Sequence, residues 1–273
     1  MVIDCKKIAS SIEDEIKLEA GSLIPRLGAV VVGTNEGTMS YIRNIQKVGQ
    51  RLGIEVELST LQDGSDTSEV INLISNLATR VDGILIGKPL PESVCEDDVI
   101  NSIPLSKDID CLHPINLGRL FLNKPLFCPC TPSAVIEVLT RIGIKLRGKD
   151  VVIIGRSDIV GKPLAIMLMQ RGVDATVTVV HTKTKDLPAC TRDADILIVA
   201  AGRPRFVKAQ MVKEGAVVID VGINMENGKI VGDVDFGEVN KKASWITPVP
   251  GGVGIVTTRV LMRNVVKAAK LRK

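Results

Sequence analysis

Runs rich in Val, Ile and Leu recur along the chain, and between them apolar residues return at helical spacing. That alternation is the signature of βαβ units, so the pattern predicts an α/β fold built on mainly parallel sheets. Strands are expected at 27–32 (LGAVVV), 54–60, 83–86 (GILI), 151–154 (VVII), 176–180 (TVTVV), 195–199 (DILIV) and 216–219 (AVVI), with helices between them. The segment 103–133, IPLSKDIDCLHPINLGRLFLNKPLFCPCTPS, breaks the rhythm with prolines. Thr131 and Pro132 then read as the N-cap and first turn of a new helix. TPVPGGVG, 247–254, is neither helix nor strand interior, and the IVTTRVLMRNVVKAAKLRK that follows is an amphipathic helix with a cationic last turn.

At 273 residues the chain is longer than one core usually serves, so two lobes are expected. They are drawn as 1–115 and 116–253, with a terminal helix, 254–273, placed to return to the first lobe. No apolar run approaches the ~20 residues that cross a bilayer. MVIDCKKIASSIEDEIK has acids inside its apolar pattern and lacks an h-region, so a cytoplasmic protein without a membrane partner is expected. The six cysteines follow no framework spacing and suit reduced thiols, and Cys128 and Cys130 with two distant histidines make a poor metal site. The net charge of +4 is spread along the chain, and one Trp, one Tyr and four Phe give no stacking platform, so nucleic acid is not an expected partner. Mild basicity suits a small anionic ligand instead.

GKDVVIIGRSDIVGKPLAIMLMQRGVDATVTVV, 148–180, reads strand, glycine turn, helix, strand, the opening unit of a dinucleotide-binding fold. Gly155 ends the strand and Gly161 lies six residues on. The turn is longer than GxGxxG, yet both glycines allow the backbone close to a pyrophosphate at a helix N-terminus; taken alone they fit a generic turn equally well. In an NAD site an acid at the end of the second strand holds the ribose hydroxyls. Here that strand runs into His181, Thr182 and Lys183, and Arg156 and Ser157 stand in the turn, so NADP is the expected cofactor. His181 and Lys183 read otherwise as an ordinary solvated loop. Asp174 lies near the ribose-acid offset but precedes the strand and is read as a turn residue. AAGRP and DVGIN follow the next two strands, where ligands of open α/β sheets sit, so Gly202 and Gly222 either face the nicotinamide or are plain turn glycines.

VVGTNEGTMSYIR, GILIGKPLP, SKDIDCLHPINLGRL, PCTP, GRSDIVGKP, DVGIN, GDVDF and TPVPGGVGIVT, in this order, resemble the methylenetetrahydrofolate dehydrogenase/cyclohydrolase family over nearly the whole chain. The resemblance implies a homodimer of two-lobed chains, with a folate-binding N-terminal lobe that takes back the C-terminal helix and a Rossmann-type NADP lobe. It implies hydride removal from methylenetetrahydrofolate and, in many members, addition of water to the methenyl product to give formyltetrahydrofolate. Tyr41, the only tyrosine, matches the family tyrosine that stacks on the aminobenzoyl ring. Asp110 matches the aspartate that takes the amino edge of the pterin with two oxygens, while Asp108 reads as a loop residue. Pro250, Gly251 and Gly252 match the loop approaching substrate and nicotinamide, and Gly155, Arg156, Ser157 and Ile223 match cofactor contacts.

Two positions depart from the family. Ile45 stands four after Tyr41, where the family has a catalytic lysine, and Gly87 stands where it has a glutamine. Hydride transfer needs mainly positioning. Hydrolysis needs a proton acceptor, whose loss typically costs about 10²- to 10⁴-fold in rate. Dehydrogenase activity is therefore expected to survive better than cyclohydrolase activity. Lys88, beside the glutamine position, is the substitute base if its ammonium enters the space of the missing pair, and otherwise a surface lysine. Lys47 reads as a solvated face residue. Tyr41, Lys88 and Asp110 are thus the candidate catalytic residues, with Cys111 and Ile255 as smaller departures beside binding positions. The rival readings are another two-lobed NADP oxidoreductase and a non-catalytic NADP- or folate-binding module.

Overall fold

Parallel pairing of the hydrophobic runs builds two separate sheets, one of three strands and one of five. They lie in two compact units of the computed structural model, which describes residues 1–272. One unit comprises Ser11–Cys130 and the chain from Thr258 onward; the other comprises Met1–Ser10 and Thr131–Thr257.

The three-stranded unit holds most of α1 (Cys5–Ala20), then β1 (Arg26–Val32), α2 (Glu36–Leu52), β2 (Glu55–Leu61), α3 (Thr67–Ala78), β3 (Gly83–Ile86), α4 (Glu96–Ser102) and α5 (Pro114–Phe121). The strand order is β2-β1-β3. Local signals set the helix ends. Asn35 caps α2 by accepting from the Thr38 amide, Gly53 closes it at φ 70, and Asp66 with Glu69 forms a capping box on α3. Val30 and Val32 of the central strand pack with Val70, Ile74 and Leu77 of α3, all buried.

The five-stranded unit holds most of α6 (Cys130–Arg141), then β4 (Asp150–Ile154), α7 (Gly161–Met169), β5 (Thr176–Val180), α8 (Leu187–Thr191), β6 (Ile196–Val199) and β7 (Val217–Asp220). A hairpin of β8 (Asn224–Glu226) and β9 (Lys229–Val231) follows, then α9 (Phe236–Val239), β10 (Trp245–Ile246) and the start of α10 (Val253–Leu271). The order β10-β7-β6-β4-β5 places β5 on one side of β4 and β6 on the other. The sheet therefore has its topological switch point at the carboxyl ends of β4 and β6, where doubly wound folds take ligands.

All of the expected strands form within about two residues of their expected limits, as assignment ambiguity allows. The domain limits differ from 1–115, 116–253 and 254–273. Residues 116–130 stay with the three-stranded unit, since Asn116 Nδ2 donates to Leu105 O (3.0 Å) and Asp108 Oδ2 (2.8 Å) and Asn264 Nδ2 donates to Cys128 O (3.2 Å). The first ten residues join the five-stranded unit because Ile3 N donates to Ile246 O (2.9 Å) and Ile246 N to Met1 O (3.0 Å). From Thr258 onward α10 belongs to the three-stranded unit, where Arg259 clamps Glu13 at 2.7 Å. Helix α6 starts at Cys130, so Thr131 lies in its first turn and is not its cap. No helix among the described residues is long and apolar enough to cross a membrane.

Candidate active site

In the three-stranded unit, the turn after Asp108 is held from inside. Asp108, 1% exposed, accepts from the amides of Leu112 (2.9 Å) and His113 (3.0 Å) and from Asn116 Nδ2 (2.8 Å). Cys111 takes φ 55 in this turn, and the Ile109 carbonyl accepts from Asn264 Nδ2 of α10 at 2.7 Å. Asp108, expected as a plain loop residue, is thus the anchor that shapes the Asp110 segment.

Asp110 itself is half-buried, and its Oδ1 accepts from the Cys130 amide at 3.4 Å. Burial raises its carboxyl above the ordinary range; the Cys130 thiol and amide pull it back, Asp108 adds to the rise and Lys88 opposes it. Burial, and then Asp110, push the Cys130 thiol well up, so it remains a protonated donor to that carboxylate. Tyr41 stands on α2 with 39% of its surface exposed. Burial around its hydroxyl, and then the Asp110 charge, hold its phenol above the ordinary value, which puts ring and carboxylate in one neighbourhood.

One turn beyond Tyr41, Ile45 is fully buried. A Cβ at Gly87 would meet Thr38 Cγ2 at 2.8 Å and Val31 Cγ2 at 3.0 Å, so the Thr38 methyl takes the space where a side chain would begin. Thr38 Oγ1 also donates to the Lys88 carbonyl at 2.7 Å. The Lys88 ammonium makes an ion pair, and its charge is also felt by the Asp110 carboxyl. It is held by Glu96 in the first turn of α4, Nζ to Oε1 2.5 Å, because α4 returns the chain to the end of β3. Lys47 is exposed, as a solvated face residue should be.

In the five-stranded unit, Gly155 follows β4 at φ 129, and a Cβ there would sit 2.2 Å from Ala200 O. A Cβ at Gly161, the first residue of α7, would sit 2.2 Å from Gly155 O. Both positions therefore require glycine. Ser157 Oγ accepts from the amides of Val160 (3.2 Å) and Gly161 (3.4 Å), closing the turn. Gly155, Arg156, Ser157, His181 and Thr182 come together with Ala200 and Ala201 around a cavity of about 260 Å³ at the switch point. Lys183 is exposed and outside that lining; its amide donates to His181 Nδ1 at 3.1 Å, which fixes the imidazole. Asp174 is a turn residue at φ 58 whose Oδ1 accepts from the Gly172 amide.

Gly202 and Gly222 lie in the loops that leave β6 and β7, and Ile223 is 67% exposed beside Gly222. Pro250 and Gly251, the latter at φ 91, lead into α10 with Gly252, where a Cβ would lie 2.1 Å from Pro248 O. The sequence singles out none of Thr38, Glu96 and Ala201, and it offers Asp108 only as a loop residue and Cys130 only as part of a poor metal site. The stretches VVGTNEGTMSYIR, SKDIDCLHPINLGRL, PCTP and AAGRP contain Thr38, Asp108, Cys130 and Ala201 without revealing their partners, and Glu96 lies outside all of them.

A glycine turn at the switch point of a doubly wound sheet, with Arg156 and His181 lining the cavity beside it, is the arrangement of a dinucleotide-binding α/β protein. Residues 3–110 match the catalytic domain and residues 129–273 the NAD(P)-binding domain of tetrahydrofolate dehydrogenase/cyclohydrolase, and the chain belongs to that family. Its curated relatives include the bifunctional protein FolD of Halothermothrix orenii, 47% identical, and that of Listeria innocua, 43% identical, each covering 98% of this chain and respectively 98% and 97% of the relative. Among solved structures, the bifunctional FolD dehydrogenase/cyclohydrolase of Campylobacter jejuni superposes with a TM-score of 0.95 at 45% identity, over 100% of this chain and 99% of that one. The Trypanosoma brucei enzyme, solved with NADP cofactor and inhibitor, superposes with a TM-score of 0.94 at 34% identity, over 100% and 98%.

Proposed function

We propose that the chain is an NADP-dependent methylenetetrahydrofolate dehydrogenase that also hydrolyses the methenyl product to formyltetrahydrofolate. The observation that carries this reading is the exposed Tyr41 ring beside the desolvated Asp110 carboxylate, in a chain of this family. A ring face supports the aminobenzoyl group by stacking, and a carboxylate accepts from the paired donors of the pterin edge. The cradle fits a dinucleotide: backbone fills the Cβ positions of Gly155 and Gly161, and Arg156, Ser157, His181 and Thr182 surround a cavity that would take the 2'-phosphate, with Lys183 next in sequence to Thr182. Gly202, Gly222 and Ile223 are assigned to the nicotinamide end, and Pro250, Gly251 and Gly252 to the loop beside the reacting carbons.

NADP supplies the hydride acceptor when bound. The methylene carbon loses hydrogen with its electron pair and becomes a methenyl cation; water adds to that carbon and releases one proton, and one of the carbon's two bonds to nitrogen then breaks as the hydroxyl proton passes to the departing nitrogen, which leaves the formyl group. For that second step Lys88 is the group assigned here, after release from Glu96. A second reading, a dehydrogenase with little cyclohydrolase activity, is supported by three details: Ile45 is buried in the core, Thr38 fills the space beside Gly87, and Lys88 is paired.

Methenyl absorbance after mixing the chain with methylenetetrahydrofolate and NADP separates the two. A rise that decays faster than the uncatalysed rate supports the bifunctional reading, and a persistent rise supports the second. No rise in methenyl or NADPH sinks both, and leaves another oxidoreductase or a binding module. The family also supports a cytoplasmic homodimer, to be tested by sedimentation of the intact chain at twice its mass.

A further inference from the structure

Two buried carboxylates lie outside the cavity and have no part in the reaction above. Asp233, 0% exposed, follows β9. Its Oδ2 accepts from the amides of Ala201 (2.6 Å) and Gly202 (2.8 Å), and its Oδ1 from the amide of Arg203 (2.9 Å) and from Asn224 Nδ2 (2.8 Å). Successive amides converging on one anion form the kind of nest that elsewhere holds a phosphate. Here the anion is the chain's own.

Asp220, 3% exposed, ends β7 and accepts at Oδ1 from the amides of Gly222 and Asp233, both at 3.0 Å, and at Oδ2 from the Val234 amide at 2.9 Å. Its own amide donates to Thr247 Oγ1 at 2.7 Å, one residue beyond β10. The network therefore ties together the carboxyl ends of β6, β7 and β10, neighbours in the sheet. The loops leaving those ends carry Gly202, Gly222, Ile223 and the Pro250–Gly252 stretch. There is no slack between the acids and the glycines beside them: a Cβ on Gly222 would lie 2.2 Å from Asp233 Cγ, and one on Gly232 would lie 1.9 Å from Asp220 Oδ2.

We infer that Asp233, supported by Asp220, is a positioning residue for the cofactor: it folds the loop 201–203 around its carboxylate and so sets one wall of the dinucleotide cavity. The amides of that loop are engaged inward, so phosphate binding falls to the Gly155 turn and the loop meets the cofactor by shape. Ala201 both donates to Asp233 and lines the cavity with Gly155 and Arg156, so a shift in the carboxylate is passed directly to the ligand. An asparagine keeps the volume but sets an NH₂ group against backbone N–H donors, which forces the loop to move.

The inference rests on the NADP reading, and the test separates the two. NADP and methylenetetrahydrofolate affinities of the intact chain are measured by calorimetry, with kcat, KM and melting temperature, for the wild type and Asp233→Asn. The NADP Kd and KM are expected to rise about tenfold or more, as for a buried donor left unpaired, with folate affinity changed less than about twofold. Failure of the wild type to bind NADP removes the NADP reading and this inference with it. Normal wild-type binding with a variant Kd within about twofold, whatever the melting temperature does, overturns the positioning role alone. If Asp233→Asn does not fold, Asn224→Ala, which keeps both carboxylates and removes one donor, is expected to weaken NADP about threefold or more; an unchanged Kd overturns the inference.

Discussion

Asp108 and Asp110 flank a single residue of one turn and do different work: Asp108 is filled by three donors from Leu112, His113 and Asn116, while Asp110 shares Cys130 and stands near Tyr41. Asp108→Asn should therefore lower stability by about 1–3 kcal/mol, the cost of mismatching buried donors, and raise the folate KM only through the distorted turn. Asp110→Asn should leave the melting temperature nearly unchanged and cut kcat/KM for methylenetetrahydrofolate by roughly 100-fold, the worth of charge-assisted hydrogen bonds. Thermal melts and steady-state kinetics on both variants check the division of labour.

Because burial raises the Asp110 carboxyl and its ionised form is the one that accepts from the pterin, kcat/KM should be lost as pH falls through a value above the usual 3.8 for aspartate. The acid limb of the wild-type profile should disappear in Asp110→Asn. A limb retained in the variant assigns it to another group.

Arg156 lines the cavity proposed for the 2'-phosphate. Arg156→Ala should weaken NADP by about tenfold to 100-fold, the range for hydrogen bonds to charged groups, and NAD by much less. Equal losses for the two cofactors, read by titration of each, would remove the phosphate assignment.

Lys88, next to Gly87 in the chain, forms an ion pair with Glu96. If Lys88 serves hydrolysis, Lys88→Met reduces decay of the methenyl product to the uncatalysed rate, whereas Glu96→Gln, which releases the Lys88 side chain from its ion pair, alters that decay. Unchanged decay in both variants excludes Lys88 and leaves the dehydrogenase reading.

Asp220 is pushed up to about 6, first by burial and finally by Asp233, against the backbone amides that lower it. A raised acid favours folding when protonated, so its contribution is full below the unfolded value near 3.8 and is lost as pH rises through about 6. The unfolding free energy of Asp220→Asn relative to wild type should thus rise by roughly 3 kcal/mol between pH 4 and 7. Chemical denaturation across that interval measures it.

Strands β1, β3, β4, β6 and β7 were legible because runs of Val, Ile and Leu bury both faces, a signal carried in the residues themselves. Strand β10 was not, since Trp245 and Ile246 owe their strand to pairing with Val217 and Val218 far along the chain. The hairpin of β8 and β9 did leave a local mark, the Asn227–Gly228 pair, which takes φ 52 and 72 and went unread. At the site, Tyr41, Asp110 and the Gly155 turn were visible from motif and spacing. The partners that shape them were not: Asp108 and Asp233 act through tertiary burial, Glu96 through a pairing that only the fold creates, and nothing in DID or GDVDF alone tells an anchor from a loop acid.

In the proposed reaction a hydride passes from a folate bound at Tyr41 and Asp110 to NADP bound at the Gly155 turn. Single-turnover absorbance with enzyme in excess over methylenetetrahydrofolate tests it most directly. NADPH should form in equal amount to substrate consumed, with a methenyl signal preceding any formyl product, and the rate should collapse in Asp110→Asn. Substrate left unconsumed by the wild type, or an unaltered rate in that variant, would contradict it.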